Sequence, residues 1–311
     1  MKKEQVLPYL GAVLNASIVG LTFLFTKLAL EDASPIDTLS YRFTLGFLVL
    51  LVLQFFVPIK MPSFKDNGKS LAFLLLLALF YPTMFFSFQA FGLLYTTSAE
   101  GGILMAFAPI LTALLASVFL KEKTSLIQVL FILMSIFGVV YIFFMKGAGI
   151  EFNSLLGFLL LFIACLSIAG YTVLARFLSV SYSPLQLSFI MVTFGFIFFN
   201  LYAVIQHLAA GDFVQYVSLW TNVPFLLFTV YLGVFATLLT SFLSNYILSK
   251  IPASQMSVFA NLSTVISIVA GAVILNETIY FYHWIGAFFI IAGVIGTNAF
   301  KQKRDKAVDA D

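Results

Sequence analysis

Eight uncharged polar residues lie deep inside long apolar runs: Asn15, Ser17, Gln89, Tyr171, Ser241, Asn245, Asn261 and Ser263. Asparagine and glutamine side chains both donate and accept hydrogen bonds. Several of them facing one volume would suit a small zwitterionic or polar molecule. Each has a plainer reading as well, a hydrogen bond between packed helices worth ~0.6 kcal/mol in lipid. Charge is scarcer. Lys27, Asp37, Arg42 and Glu100 are the charged residues within these runs, all toward one predicted side. Three fates are open to Arg42: pairing with Asp37, Glu31 or Glu100, snorkelling to the surface, or contact with an anionic group of a ligand. Lys27, close to the end of its run, reads as a snorkelling anchor.

Other chemistry is missing. There is no His/Asp/Cys grouping, no metal-ligand spacing and no glycine-rich phosphate loop. No catalytic residue, metal or cofactor is therefore expected. The single cysteine, Cys165, sits mid-run and reads as a packed thiol.

The elements that must hold these residues are membrane-spanning helices. Hydrophobic residues make up 62% of the 311 and charged residues 9%, against about 25% charged in soluble domains. Ten apolar windows are readable: 7–30, 36–57, 71–94, 98–120, 125–145, 155–175, 184–208, 224–248, 253–275 and 279–299. A helix needs ~20 residues to cross the hydrocarbon core. Runs such as 73–80 do not alternate as barrel strands would. The predicted fold is an all-α polytopic membrane protein, its surroundings the lipid bilayer. The polar stretches 58–70, 209–223 and 300–311 are too short to form a core of their own. The basic residues form no face suited to nucleic acid.

With the N-terminus in the cytoplasm, 13 of the 16 basic residues fall in cytoplasmic segments and only Lys146 falls outside. The positive-inside rule then predicts a multi-pass cell-membrane protein with both termini cytoplasmic. The two halves also match. Residues 98–145 align with 253–300 at an offset of 155, setting Glu122 on Glu277 and Gly138 on Gly293. An offset of 149 sets Lys27 on Arg176 and Pro35 on Pro184. Five spans per half is an odd number, so the second half enters the membrane from the opposite side. The expected units are residues 1–148 and 149–300, two inverted five-helix repeats, followed by a charged cytoplasmic tail, 301–311. Inverted repeats recur in secondary transporters, with a substrate site at their interface.

Specific short segments carry a family likeness. They are Gly20-Leu-Thr-Phe-Leu-Phe-Thr-Lys27, Ser34-Pro35, Tyr41-Arg42, Tyr95-Thr-Thr-Ser-Ala99, Ala108-Pro109 and Phe119-Leu-Lys-Glu122 in the first half. Ile251-Pro-Ala-Ser254, Leu275-Asn-Glu277 and Gly293-Val-Ile-Gly296 repeat the theme in the second. Over its whole length the chain resembles ten-helix EamA-type carriers of the drug/metabolite transporter superfamily. Departures are Ile18-Val19 where a tryptophan often precedes Gly20, and Thr264 in place of a repeat partner for Pro109.

The resemblance implies a carrier, exporting a small polar metabolite such as an amino acid by alternating access, as a monomer or homodimer. It implies that the eight polar residues line a central cavity, with Arg42 a possible charged contact. Pro109 reads as a hinge, Pro82 as a kink, and Gly293 and Gly296 as close-approach points. Glu122 and Glu277 read as caps of helix N-termini. No carboxylate or histidine is central, His207 and His283 lying near helix ends. This favours facilitated diffusion, exchange, or coupling without a central carboxylate. A channel, or a receptor or scaffold that does not translocate, is the alternative class.

Overall fold

The computed structural model describes residues 3–56, 68–95, 105–145, 155–274 and 279–300, and the regular structure among them is helical throughout. The first half contributes α1 (Lys3–Ala29), α2 (Pro35–Phe56), α3 (Gly68–Ala78), α4 (Phe85–Tyr95), α5 (Ala108–Phe119) and α6 (Leu126–Met145). The second contributes α7 (Leu155–Leu178), α8 (Pro184–Ala210), α9 (Phe213–Ser218), α10 (Val223–Val230), α11 (Thr240–Lys250), α12 (Ala253–Ile274) and α13 (Phe281–Ala299). Among the described residues, six helical stretches are long and apolar enough to cross a bilayer, and three shorter apolar helices accompany them.

Local sequence explains where these helices begin. Pro35 and Pro184 open α2 and α8, where a missing N–H costs nothing. The Asp37 N–H donates to Ser34 Oγ (3.1 Å), which donates back to Asp37 Oδ2 (2.8 Å). At α8 the Gln186 N–H donates to Ser183 Oγ (3.3 Å) and the Ser183 N–H to Gln186 Oε1 (2.9 Å). Ser125 and Gln128 form the same reciprocal box at α6, and the Tyr280 N–H donates to His283 Nδ1 at α13.

Two rods are interrupted. Between α3 and α4, residues Leu79–Met84 form a wide π-type turn in which Tyr81 leaves helical geometry (φ −144°, ψ 119°) next to Pro82. Between α10 and α11, Tyr231–Leu239 is a second π-type segment. In each, a threonine hydroxyl bonds the carbonyl five residues back: Thr83 to Ala78 (3.1 Å) and Thr237 to Leu232 (2.8 Å). The kink at Pro82 was expected. The wide turn at 231–239 was not, because its residues read as one unbroken apolar run.

Packing inverts the soluble pattern. Phe55, Leu155 and Phe281 are 79–86% exposed, whereas Arg42 and Asn245 are buried, as suits a lipid solvent. Helix α6 packs on α13, α1 on α12 and α11, α7 on α5 and α4, and α2 on α8 and the second π segment. Backbones touch where glycines remove the side chain. A Cβ on Gly46 would lie 2.8 Å from the Gly233 carbonyl oxygen, and one on Gly138 would lie 2.6 Å from that of Gly286. Gly293 and Gly296 seat α13 against Phe131, as their type suggested. The stretch 209–223 is more than a polar loop. It folds as α9 and a short 3₁₀ turn, Leu219–Thr221, and returns Tyr216 to a buried position.

Candidate functional site

Arg42 is 5% exposed and enters the bundle two turns into α2. Its Nε donates to Thr237 Oγ1 (2.5 Å) and its Nη2 to the Ala236 carbonyl (2.7 Å), both on the second π segment. A wide turn leaves carbonyls outside the regular ladder, and this one supplies an acceptor. The guanidinium lies 4.6 Å from the centre of the Phe86 ring. Among the described residues, the phenols of Tyr81 and Tyr231 lie close enough to interact with it electrostatically. Of the alternatives open to Arg42, the ion pair with Asp37 does not form, because Asp37 is held by Ser34 and His207. Glu31 is exposed on the turn after α1, and Glu100 lies outside the described residues. The Lys27 side chain also lies outside them.

Tyr81 connects this site to the next. Its ring stacks on Tyr171 (centroids 4.8 Å, 26°). The Tyr171 hydroxyl reaches Asn245 Oδ1 (3.4 Å), and Asn245 Nδ2 donates to Ser188 Oγ (3.0 Å). Three helices, α7, α8 and α11, thereby meet in one buried network. One residue away on α11, Ser244 Oγ accepts from Asn15 Nδ2 of α1 (3.3 Å). Asn15 Oδ1 and Ser241 Oγ are buried and make no hydrogen bond among the described residues.

The remaining expectations scatter. Ser17 and Ser263 bond carbonyls of their own helices, those of Val13 and Ala260. Asn261 donates to Ser135 (2.8 Å), tying α12 to α6. Gln89 is half-buried on α4. Pro109 stands in the first turn of α5, just after a break at Ala106–Phe107. Glu122 does cap a helix, though not the one that follows it. It accepts the Ala253 N–H (3.1 Å), the Ser254 N–H (3.4 Å) and the Ser254 hydroxyl (3.1 Å) at the start of α12. Glu277 lies outside the described residues.

The opposite end of the bundle holds a cluster that sequence reading missed. His207 Nε2 lies 2.8 Å from Asp37 Oδ1 and its Nδ1 lies 2.7 Å from Asp212 Oδ1. A carboxylate oxygen thus faces each ring nitrogen, an arrangement that suits the cationic ring. Beneath it, Ser40, Asn200 and the Tyr216 hydroxyl interact, and the Tyr41 hydroxyl donates to the Tyr216 carbonyl (2.7 Å). Asn200 was visible as a lone amide in an apolar run. Tyr216 carried no signal, since six residues of helix are too few for periodicity. A groove of about 460 Å³, lined by Phe88, Phe91, Leu160, Phe198 and Tyr202 among others, opens between α2, α4, α7 and α8. It is apolar, and none of the polar candidates lines it.

A family model described as the EamA-like transporter family matches residues 6–144 and 155–299. The uncharacterized transporter YcxC of Bacillus subtilis (strain 168) is 43% identical over 306 residues, covering 98% of this chain and 97% of that one. The uncharacterized transporter YetK of the same organism is 29% identical, covering 97% and 90%. An uncharacterized transporter of Archaeoglobus fulgidus is 27% identical, covering 94% and 98%. One solved crystal structure superposes with a TM-score of 0.76 over 96% of this chain at 14% identity, a likeness of fold.

Proposed function

Since the chain belongs to the EamA-like transporter family, we propose that it is a secondary carrier. It moves a small polar metabolite across the cell membrane by alternating access, in the direction of export. In this reading, ten spans form two inverted five-helix units, 1–148 and 149–300, with both termini cytoplasmic. The cargo site lies at their interface, between the two wide turns, and is walled by Asn15, Tyr171, Ser241 and Asn245. Ser17, Gln89, Asn261 and Ser263 are framework or periphery. Pro109 acts as a hinge beside the break that precedes α5.

The observation that carries this reading is that two buried polar atoms, Asn15 Oδ1 and Ser241 Oγ, find no partner among the described residues and belong to the helices that carry the Tyr171–Asn245–Ser188 network or bond to it, α11 and α1. An unsatisfied buried polar atom costs ~1–3 kcal/mol, and a ligand that supplies the missing partner repays it. Several features support the inverted arrangement. The family match falls in two stretches of similar length. Helix starts closed by the residue three positions on recur 149 residues apart at Ser34 and Ser183 and 155 apart at Ser125 and Tyr280. Interrupted helices meeting near the midplane are a known way to build such sites.

The test has two arms. Metabolites enriched in the medium on overexpression are identified, then assayed for counterflow in proteoliposomes. Saturable counterflow is the expected result, and flux proportional to concentration without counterflow would replace the carrier by a channel. Separately, single cysteines at Glu122 and Glu277, in a Cys165→Ser background, should label from opposite faces of the membrane. Labelling from one face would remove the inverted repeat.

A further inference from the structure

Among the described residues, everything Arg42 bonds is neutral. Among the described residues no carboxylate lies within salt-bridge distance of it, and its acceptors are a hydroxyl and a peptide carbonyl. Charged side chains held at membrane depth are costly and normally paired or functional. The nearest acidic residue on its own helix, Asp37, is committed elsewhere. Two edges of the guanidinium can each grip a carboxylate side-on. The Nε–Nη2 edge is spent on the second π segment, and Nη1 makes no hydrogen bond among the described residues. The guanidinium carbon lies 4.6 Å from the centre of the Phe86 ring, and Phe86 packs on Tyr81 (ring centroids 5.3 Å).

The position also has an internal control. At the repeat offset of 149, the residue matching Arg42 is Met191. Met191 is buried among Leu74, Leu77 and Leu187, where α8 meets α3 and the first wide turn. The same kind of joint is therefore built in the other half with no charge. The cation is not a requirement of the joint.

We propose that Arg42 is the recognition residue for an anionic group of the cargo, and that this group is the carboxylate of a small organic acid or amino acid. The inference rests on the carrier reading and narrows it from polar metabolites to those bearing a carboxylate. Thr237 and Ala236 orient the guanidinium. Phe86 and Tyr81 exclude water from the free edge, and Tyr171 extends the wall toward Asn245.

Purified protein in detergent is tested by thermal unfolding against isovalerate and phenylacetate, each beside its primary amide. Carboxylates should raise the melting temperature of the wild type while the isosteric amides do not. Arg42→Gln should lose the carboxylate-specific shift, and Arg42→Lys should retain it with affinity weakened about 10-fold, since the point charge survives without the fork. Equal shifts from acid and amide, or no shift from any carboxylate, would overturn the proposal. Should Arg42→Gln fail to fold, the acid–amide comparison on the wild type decides alone. Recovery of Arg42→Gln by Glu100→Gln would also overturn it, since that marks a structural ion pair. In proteoliposomes, a wild type that moves nothing in counterflow defeats the carrier reading. A wild type that does move solute, with KM unchanged in Arg42→Gln or Arg42→Lys, defeats only the role of Arg42.

Discussion

Two joints in this molecule are built alike and end differently. In one, α2 meets the wide turn 231–239. In the other, α8 meets α3 and the wide turn 79–84. Both helices begin with a Ser-Pro pair closed by a side chain three residues on from the serine, Asp37 in one and Gln186 in the other. Both carry a glycine where the helices cross, Gly46 and Gly195, again 149 residues apart. Both wide turns hold a threonine bonded five residues back. Against this common frame, Arg42 stands where the other joint has Met191, and Asp37 reaches His207 where Gln186 closes its own cap. Residues that build the frame recur in kind. Those that differ are the charged ones, and a charge held at membrane depth is costly where the matching position does without it.

The charge cluster gives the largest expected effect. Asp37 and His207 are each about nine-tenths buried and join α2 to α8. Breaking one side of a buried pair strands the other, at a cost of ~3 kcal/mol. Asp37→Asn should therefore lower thermal stability in detergent much more than Gln186→Ala, which loses one cap worth ~1 kcal/mol. The double variant Asp37→Asn/His207→Asn should cost clearly less than the sum of the single ones, as expected for a direct partner. Strict additivity would mean that the two ends of the frame are closed by equivalent means.

The frame itself should respond equally in both joints. A Cβ at Gly46 meets the Gly233 carbonyl oxygen at 2.8 Å, and one at Gly195 meets the Phe43 ring and Pro82 Cγ, the latter at 2.8 Å. Neither a backbone carbonyl nor a packed ring and proline can give much. Gly46→Ala and Gly195→Ala should each cost ~2 kcal/mol, read as similar falls in melting temperature. A large difference between them would show that the crossings are not built alike.

How much of this was written in the chain follows from the same contrast. Apolar runs, caps and the Ser-Pro starts are local, and the sequence shows them directly. Asn15, Tyr171, Ser241 and Asn245 were readable because a polar side chain in an apolar run is conspicuous. Their partners were not, since Ser188 and Ser244 look like any helix serine until three helices are brought together. The role of Glu122 was legible and its target was not, because the capped helix begins 131 residues later. For Arg42 the sequence left pairing with a carboxylate, snorkelling and ligand contact all open. Its actual partners belong to a wide turn whose deviation depends on tertiary contact, and periodicity cannot report that. The His207 cluster needed two helix ends and a short helix to converge, all three separated in sequence.

The smallest expected effect bears most directly on the contrast. Met191 fills an apolar gap on α8, and its sulfur lies 3.6 Å from Asn245 Nδ2, a weak contact next to the 3.0 Å bond from Asn245 to Ser188. Met191→Leu nearly conserves volume and should cost under ~1.5 kcal/mol. If the Met191 joint is only framework, the variant keeps its carboxylate-induced thermal shift and its counterflow rate close to those of the wild type, while Arg42→Gln does not. Were Met191→Leu to abolish the carboxylate shift as fully as Arg42→Gln, charge would cease to distinguish the joints. The selectivity now assigned to one guanidinium would then have to lie in the packing that both positions share.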